Sequence, residues 1–92
     1  MQEDEKIKIN RAFNICCNAV KTLTTKPCDD DLLILYGYYK QATEGDCNKE
    51  KPSFFNFKEC KKWESWKNQI GKDEYVMKSL YNKKVKELIN NN

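Results

Sequence analysis

The chain has 92 residues, 34% charged and 39% hydrophobic, a balance that suits one small soluble domain over residues 1–92 and leaves no room for a large enzyme core. It contains no histidine, so the commonest general base and metal ligand is missing; Ser53, Ser65 and Ser79 have no imidazole to activate them, and Ser-His-Asp and Cys-His mechanisms are excluded. The net charge of +3 is carried almost wholly by lysine, with Arg11 the single arginine, which points to an anionic partner but away from the arginine-led reading of nucleic-acid bases.

No apolar run approaches the roughly eighteen residues that a membrane span requires. The opening Met-Gln-Glu-Asp-Glu-Lys lacks the basic-then-apolar layout of a secretory signal, so a cytoplasmic location is expected. Cys16, Cys17, Cys28, Cys47 and Cys60 are odd in number and contain no C-x-x-C pair. They read as small hydrophobes in a reducing compartment, with no metal site.

Apolar residues recur at helical spacing in four places, and no long stretch alternates as a strand would. The first segment runs from about Glu5 to Thr24, with Ile9, Phe13, Cys16, Val20 and Leu23 on one face; Lys26-Pro27 ends it. The second opens at Asp29-Asp30-Asp31, where acidic side chains cap free amides and oppose the positive end of the helix dipole. Leu32, Leu35, Tyr36 and Tyr39 follow at helical spacing, and Gly45 marks the stop. A polar connector from Asp46 to about Asn56 is long for a link between antiparallel neighbours and allows the next helix to run in the same direction.

The third helix is expected from about Phe57 to Ile70, with Cys60, Trp63, Trp66 and Ile70 as its apolar stripe and Gly71 as its breaker. Asp73 is placed to N-cap a fourth helix from Glu74 to about Asn90, whose Met77, Leu80, Tyr81, Val85 and Leu88 face inward. The terminal asparagines are expected to fray. The fold class is all-α, with four helices and no repeat.

Two constellations carry chemistry. Tyr36, Tyr39 and Lys40 lie at i, i+3 and i+4, so two phenol rings and an ammonium share one helical patch. That combination suits a flat base beside a phosphate, base–aromatic stacking being worth about 1–3 kcal/mol. The same spacing equally describes core aromatics. Gly37 costs about 1 kcal/mol in a helix interior, so it is either the mark of a close approach or one of the isolated glycines that natural helices tolerate. Lys58, Lys61 and Lys62, just before Trp63, form a cluster that is either solvated surface or an anion bridge.

The stretch Leu35-Tyr36-Gly37-Tyr38-Tyr39-Lys40-Gln41-Ala42-Thr43-Glu44-Gly45-Asp46-Cys47-Asn48 resembles the signature L-Y-x-x-Y-K-Q-A-T-x-G-D-x-N of the acyl-CoA-binding protein family. Thr25-Lys26-Pro27 with Asp29 resembles its T-x-P-x-D connector. Lys62-Trp63-x-x-Trp66 resembles its K-W-x-A-W segment, and Tyr81-x-x-x-Val85-x-x-Leu88 its last helix. The resemblance covers about residues 13–88. It implies a four-helix bundle in up-down-down-up order that binds medium- to long-chain acyl-CoA in a shallow bowl, as an intracellular carrier and pool former and not as an enzyme.

Carried over by position, the implied ligand residues are Lys21, Tyr36, Tyr39, Lys40, Lys62 and Tyr81, with Gly37 and Tyr38 in the same segment. Lys40 and Lys62, helped by the Tyr36 hydroxyl, would hold the 3′-phosphate of CoA, Tyr36 or Tyr39 would bound the adenine, and Lys21 would sit at the rim. Tyr81, Leu32 and Cys17 would line the acyl groove. No cofactor is implied, the acyl-CoA being the ligand. A monomer is expected, with no nucleic acid bound; transient contact with membranes and with acyl-CoA-using enzymes fits such a carrier. Cys16, Cys17 and Lys61 depart from the family's usual small residues, and Met77 stands one residue further from Tyr81 than in the usual A-M-x-x-Y.

Overall fold

The three-and-four spacing resolves into four helices in the computed structural model, which describes residues 2–91. They are α1 (Glu3–Ala19), α2 (Asp29–Glu44), α3 (Phe57–Lys67) and α4 (Glu74–Asn90). A single 3-10 turn, Val20–Thr22, follows α1. No strand occurs among the described residues. The order is up-down-down-up, with the connector from 45 to 56 carrying the chain back between α2 and α3. α2 packs on both α3 and α4, and α1 packs on α4.

The core is built from one stripe of each of three helices: Phe13 and Cys16 of α1, Leu35 and Ala42 of α2, and Met77, Tyr81 and Val85 of α4. Met77 and Val85 are fully buried. Each such side chain contributes about 1.5–3 kcal/mol relative to exposure. Met77, Tyr81 and Val85 lie at i, i+4 and i+8, so the wider Met–Tyr spacing keeps both residues on the buried face of a continuous α4. The molecule measures 43 × 32 × 15 Å. At little more than one helix diameter of about 10 Å in its thin direction, it can offer a ligand only a shallow face.

Three boundaries differ from the sequence expectation. α1 ends at Ala19 and tightens into the 3-10 turn, and Leu23 is already extended at φ −60°, ψ 132°. α3 ends at Lys67, so Ile70 falls in the following turn and is 52% exposed instead of extending the apolar stripe. At the start of α2 the N-cap position is Cys28, which makes no side-chain cap. Asp29, Asp30 and Asp31 occupy the first turn, where they act on the helix dipole and not as caps.

Asp73 does cap α4, accepting from the backbone N–H of Tyr75 and Val76. Gly45 and Gly71 both have positive φ, at 79° and 84°, the left-handed region that favours glycine at a helix end. Of the tail expected to fray, Asn90 closes α4 and Asn91 follows it, its N–H bonded to Glu87; Asn92 lies outside the described residues.

Candidate functional site

α2 supplies the site because its two faces differ. Leu35, Gln41 and Ala42 are buried, and Tyr38 packs against the core. Leu32, Tyr36, Tyr39 and Lys40 repeat at helical spacing on another face, where Tyr39 is 42% exposed. Packing separates the three tyrosines: Tyr38 packs against the buried core, Tyr36 is half-buried, and Tyr39 is exposed on one side while its ring meets Phe13 and Tyr81. Gly37 is buried against α3: a Cβ there would lie 2.5 Å from the Ser65 carbonyl oxygen. The Ser65 hydroxyl also donates to the Leu33 carbonyl, so α2 and α3 touch backbone to backbone beside the tyrosines.

A cleft of about 550 Å³ opens between α2 and α3. Leu32, Leu33 and Phe57 give it apolar surface; Tyr36 and Lys62 stand together on its wall; Lys58 and Lys61 of α3 share the lining with Lys26, just before α2, and with Asp29 and Asp30 of its first turn. Two ammonium groups lie near the Tyr36 ring, Lys62 Nζ 5.0 Å and Lys40 Nζ 6.0 Å from its centroid. Lys40 also lies 4.9 Å over the Trp66 ring. Such contacts are worth about 0.5–1 kcal/mol at exposed sites and hold the ammonium groups near the ring.

Each lysine meets a carboxylate of its own helix. Lys40 pairs with Glu44, and that hydrogen bond raises the lysine's pKa above its ordinary value. Lys62 Nζ lies 3.6 Å from Glu59. Both carboxylates are about half exposed, so solvent and salt screen these pairs and they hold the lysines weakly. A phosphate, with more charge and more acceptor oxygens, can therefore displace them.

A second cluster joins α1, α2 and α4. The Phe13 ring stacks on Tyr39 at 5.8 Å and meets Tyr81 edge-on at 5.1 Å, while Tyr39 and Tyr81 are 6.1 Å apart. Burial pushes the Tyr81 hydroxyl pKa up, and its hydrogen bond to Cys17 adds to the rise. Burial likewise raises Cys17, against the pull of Lys21 and Lys78 nearby. Lys21 is exposed in the 3-10 turn. Lys78 is fixed from three sides: it donates to Asn10 Oδ1 at 2.7 Å, pairs with Glu74, and lies 5.4 Å over Phe13.

The structure thus brings Tyr36, Lys40 and Lys62 into one group and Tyr39 and Tyr81 into another, both served by α2, while Lys21 lies in the 3-10 turn near enough to Cys17 to lower its pKa. Gly37 and Tyr38 are turned away from the cleft and make packing contacts. Leu32 lines the cleft, but Cys17 and Tyr81 stand in the second cluster and not on the cleft wall. Sequence reasoning missed Leu33, Phe57 and Lys26 as cleft residues, because they enter from helix ends where no periodicity marks a face. It also missed Lys78, whose signal was its i+4 spacing from Glu74.

The rest of the tyrosine-bearing segment holds the frame. Gln41 is buried and donates to Asp46 Oδ1 at 2.8 Å and to the Lys72 carbonyl at 3.2 Å. Asp46 Oδ1 also accepts from the Gly71 N–H at 2.7 Å, the main cause of its lowered pKa. Trp66 Nε1 donates to the Gly45 carbonyl at 2.8 Å. These bonds tie the end of α2 to α3 and to the α3–α4 turn, fixing Lys40 relative to Lys62.

With this geometry in place, the likenesses to known proteins are informative. Residues 10–85 match the family model described as "Acyl CoA binding protein". The acyl-CoA-binding protein of Saccharomyces cerevisiae is 46% identical over 81 residues, covering 88% of this chain and 93% of that protein. That of Gossypium hirsutum is 49% identical over 80 residues, covering 87% and 90%. The crystal structure of Oryza sativa acyl-CoA-binding protein 2 superposes with a TM-score of 0.89 at 35% identity, covering 94% of each chain. A small all-α binding protein is the class that fold and site define. The chain belongs to the acyl-CoA-binding protein family.

Proposed function

We propose that the protein binds medium- to long-chain fatty acyl-CoA esters and acts as their intracellular carrier and pool former. The observation that carries this reading is Tyr36 on the wall of the α2–α3 cleft, with the Lys62 and Lys40 ammonium groups 5.0 and 6.0 Å from its ring centroid and Leu32, Leu33 and Phe57 supplying apolar surface beside it. A CoA head offers what this group would recognise: an adenine face, a 3′-phosphate approaching a charge of about −2 near neutrality, and a pyrophosphate. Lys40 and Lys62 take the 3′-phosphate with the Tyr36 hydroxyl. Tyr39 extends the aromatic wall, and Lys21, exposed in the 3-10 turn, stands at the rim. Leu32, Leu33 and Phe57 begin the surface along which the acyl chain lies, each buried methylene adding about 0.8 kcal/mol of gross driving force.

The protein serves as a monomeric cytoplasmic buffer and hands the ester to acyl-CoA-using enzymes without altering it. Its lack of histidine and the raised pKa values of Cys16 and Cys17, which keep those thiols protonated, both support carriage over thioester cleavage. Chromatography of palmitoyl-CoA after long incubation with stoichiometric protein tests this. Recovery of intact, protein-bound ester is the expected result, and release of free CoA would contradict it.

A further inference from the structure

Phe54, Phe55 and Phe57 are 70%, 79% and 74% exposed, the most exposed large apolar side chains among the described residues. Apolar side chains scattered singly on a surface are ordinary, but three close in sequence, at the end of the connector and the first position of α3, are not. The Phe54 and Phe55 rings lie 4.2 Å apart, centroid to centroid. This segment is held by a fixed framework. Trp63 Nε1 donates to the Lys49 carbonyl at 2.8 Å, the Cys60 thiol approaches the Pro52 and Ser53 carbonyls at 3.3 and 3.2 Å, and the Asn56 side chain caps α3.

Charge is concentrated around the same segment. Residues 49–62 carry five lysines against two glutamates, an excess of three that equals the net charge of the whole chain, so the remaining residues balance. Lys51 lies 3.4 Å from Glu64, and Lys62 lies near Glu59. Lys58 and Lys61 make no ion pair among the described residues. Exposed phenylalanines flanked in the chain by lysines are complementary to a bilayer surface bearing anionic headgroups. The rings can enter the boundary between headgroups and acyl chains while the ammonium groups stay at headgroup level.

We propose that the Phe54–Phe55–Phe57 segment is a docking wedge for anionic lipid membranes. Phe57 also lines the α2–α3 cleft with Lys58 and Lys61. Docking therefore brings the mouth of the cleft to the bilayer, where an acyl chain can pass between the two without crossing water. The wedge itself stands on exposure and charge; its use in loading and unloading rests on the acyl-CoA reading.

The test is co-sedimentation of the full chain with phosphatidylcholine vesicles, with and without phosphatidylserine, for the native protein and for the double variant Phe54→Ser, Phe55→Ser. Neither residue lines the cleft, so palmitoyl-CoA affinity measured without vesicles should be unchanged in the variant. The native protein is expected to bind the phosphatidylserine vesicles, to release in high salt, and to lose at least about tenfold in partitioning in the double variant. No binding by the native protein, or equal binding by the variant, overturns the wedge. Acyl-CoA binding without vesicle binding would leave the carrier reading standing. Vesicle binding without acyl-CoA binding would do the reverse. Equal vesicle binding with loss of a protein partner in the variant would mark the segment as a protein contact instead.

Discussion

Lys62 is the most informative single residue, because it reaches Tyr36 from the other helix. Lys40 and Tyr36 share α2 and would be neighbours in any structure that kept that helix, whereas Lys62 depends on how α3 packs. Its ammonium, 5.0 Å from the Tyr36 centroid, has only an exposed carboxylate, Glu59, to displace. Replacing it with alanine should weaken palmitoyl-CoA binding by about ten- to a hundredfold, the range for a charge-assisted hydrogen bond to phosphate. The same substitution should cost little against palmitoyl-(3′-dephospho)-CoA. Titration of both ligands with both proteins closes the cycle, and an equal loss on the two ligands would place Lys62 away from the 3′-phosphate.

At the scale of elements, the contact between α2 and α3 holds the two lysines at their separation. Gly37 allows that contact, since any Cβ would meet the Ser65 backbone, which cannot yield as a flexible side chain would. Gly37→Ala is therefore expected to destabilise the protein by about 1–3 kcal/mol through overpacking, although alanine is the better helix former. Urea unfolding of the two proteins checks this, and a stabilised variant would contradict the close approach.

Much of this was legible in the sequence. The stop of α2 at Gly45, the Asp73 cap and the start of α3 follow from local backbone chemistry, which acts over three or four residues, whereas α3 ends at Lys67, short of the expected breaker Gly71. Packing information was not legible in the same way. Tyr36, Tyr38 and Tyr39 have the same side chain, and only the positions of α3 and α4 decide which of them turns inward. Ile70 satisfies the helical repeat yet falls beyond the helix end. Phe54 and Phe55 sit in a connector with no period, so their exposure could not be read before the fold was known.

At the scale of the whole molecule, the titratable groups define a plateau of stability. The Lys84 hydrogen bond lowers the pKa of Asp31, the Gly71 N–H that of Asp46, and Lys40 that of Glu44. A carboxylate lowered on folding binds protons more readily in the unfolded chain, so its contribution is present above the unfolded value of about 4 and lost as the pH falls towards the folded value. On the alkaline side, hydrogen bonds to Glu44 and Asp31 raise Lys40 and Lys84, whose contributions vanish as the pH rises through their folded values. The raised thiols of Cys16 and Cys17 act in the same direction, because the unfolded chain releases those protons first. With no histidine to titrate between these limits, denaturant midpoints should be flat from about pH 5 to pH 8 and fall on either side. A step near neutrality would contradict this assignment.

The molecule is thin, 15 Å in one direction, and on the acyl-CoA reading proposed above the ligand would lie along a face, its head on Tyr36, Lys40 and Lys62 and its tail along apolar surface. Neither half of the site should suffice alone. Titration calorimetry with palmitoyl-CoA, free CoA and palmitate tests that requirement directly. Palmitoyl-CoA is expected to bind at one site at least about a hundredfold more tightly than either fragment. Equal affinity for palmitate and palmitoyl-CoA, or no binding of the ester, would contradict the claim that this face reads head and tail together.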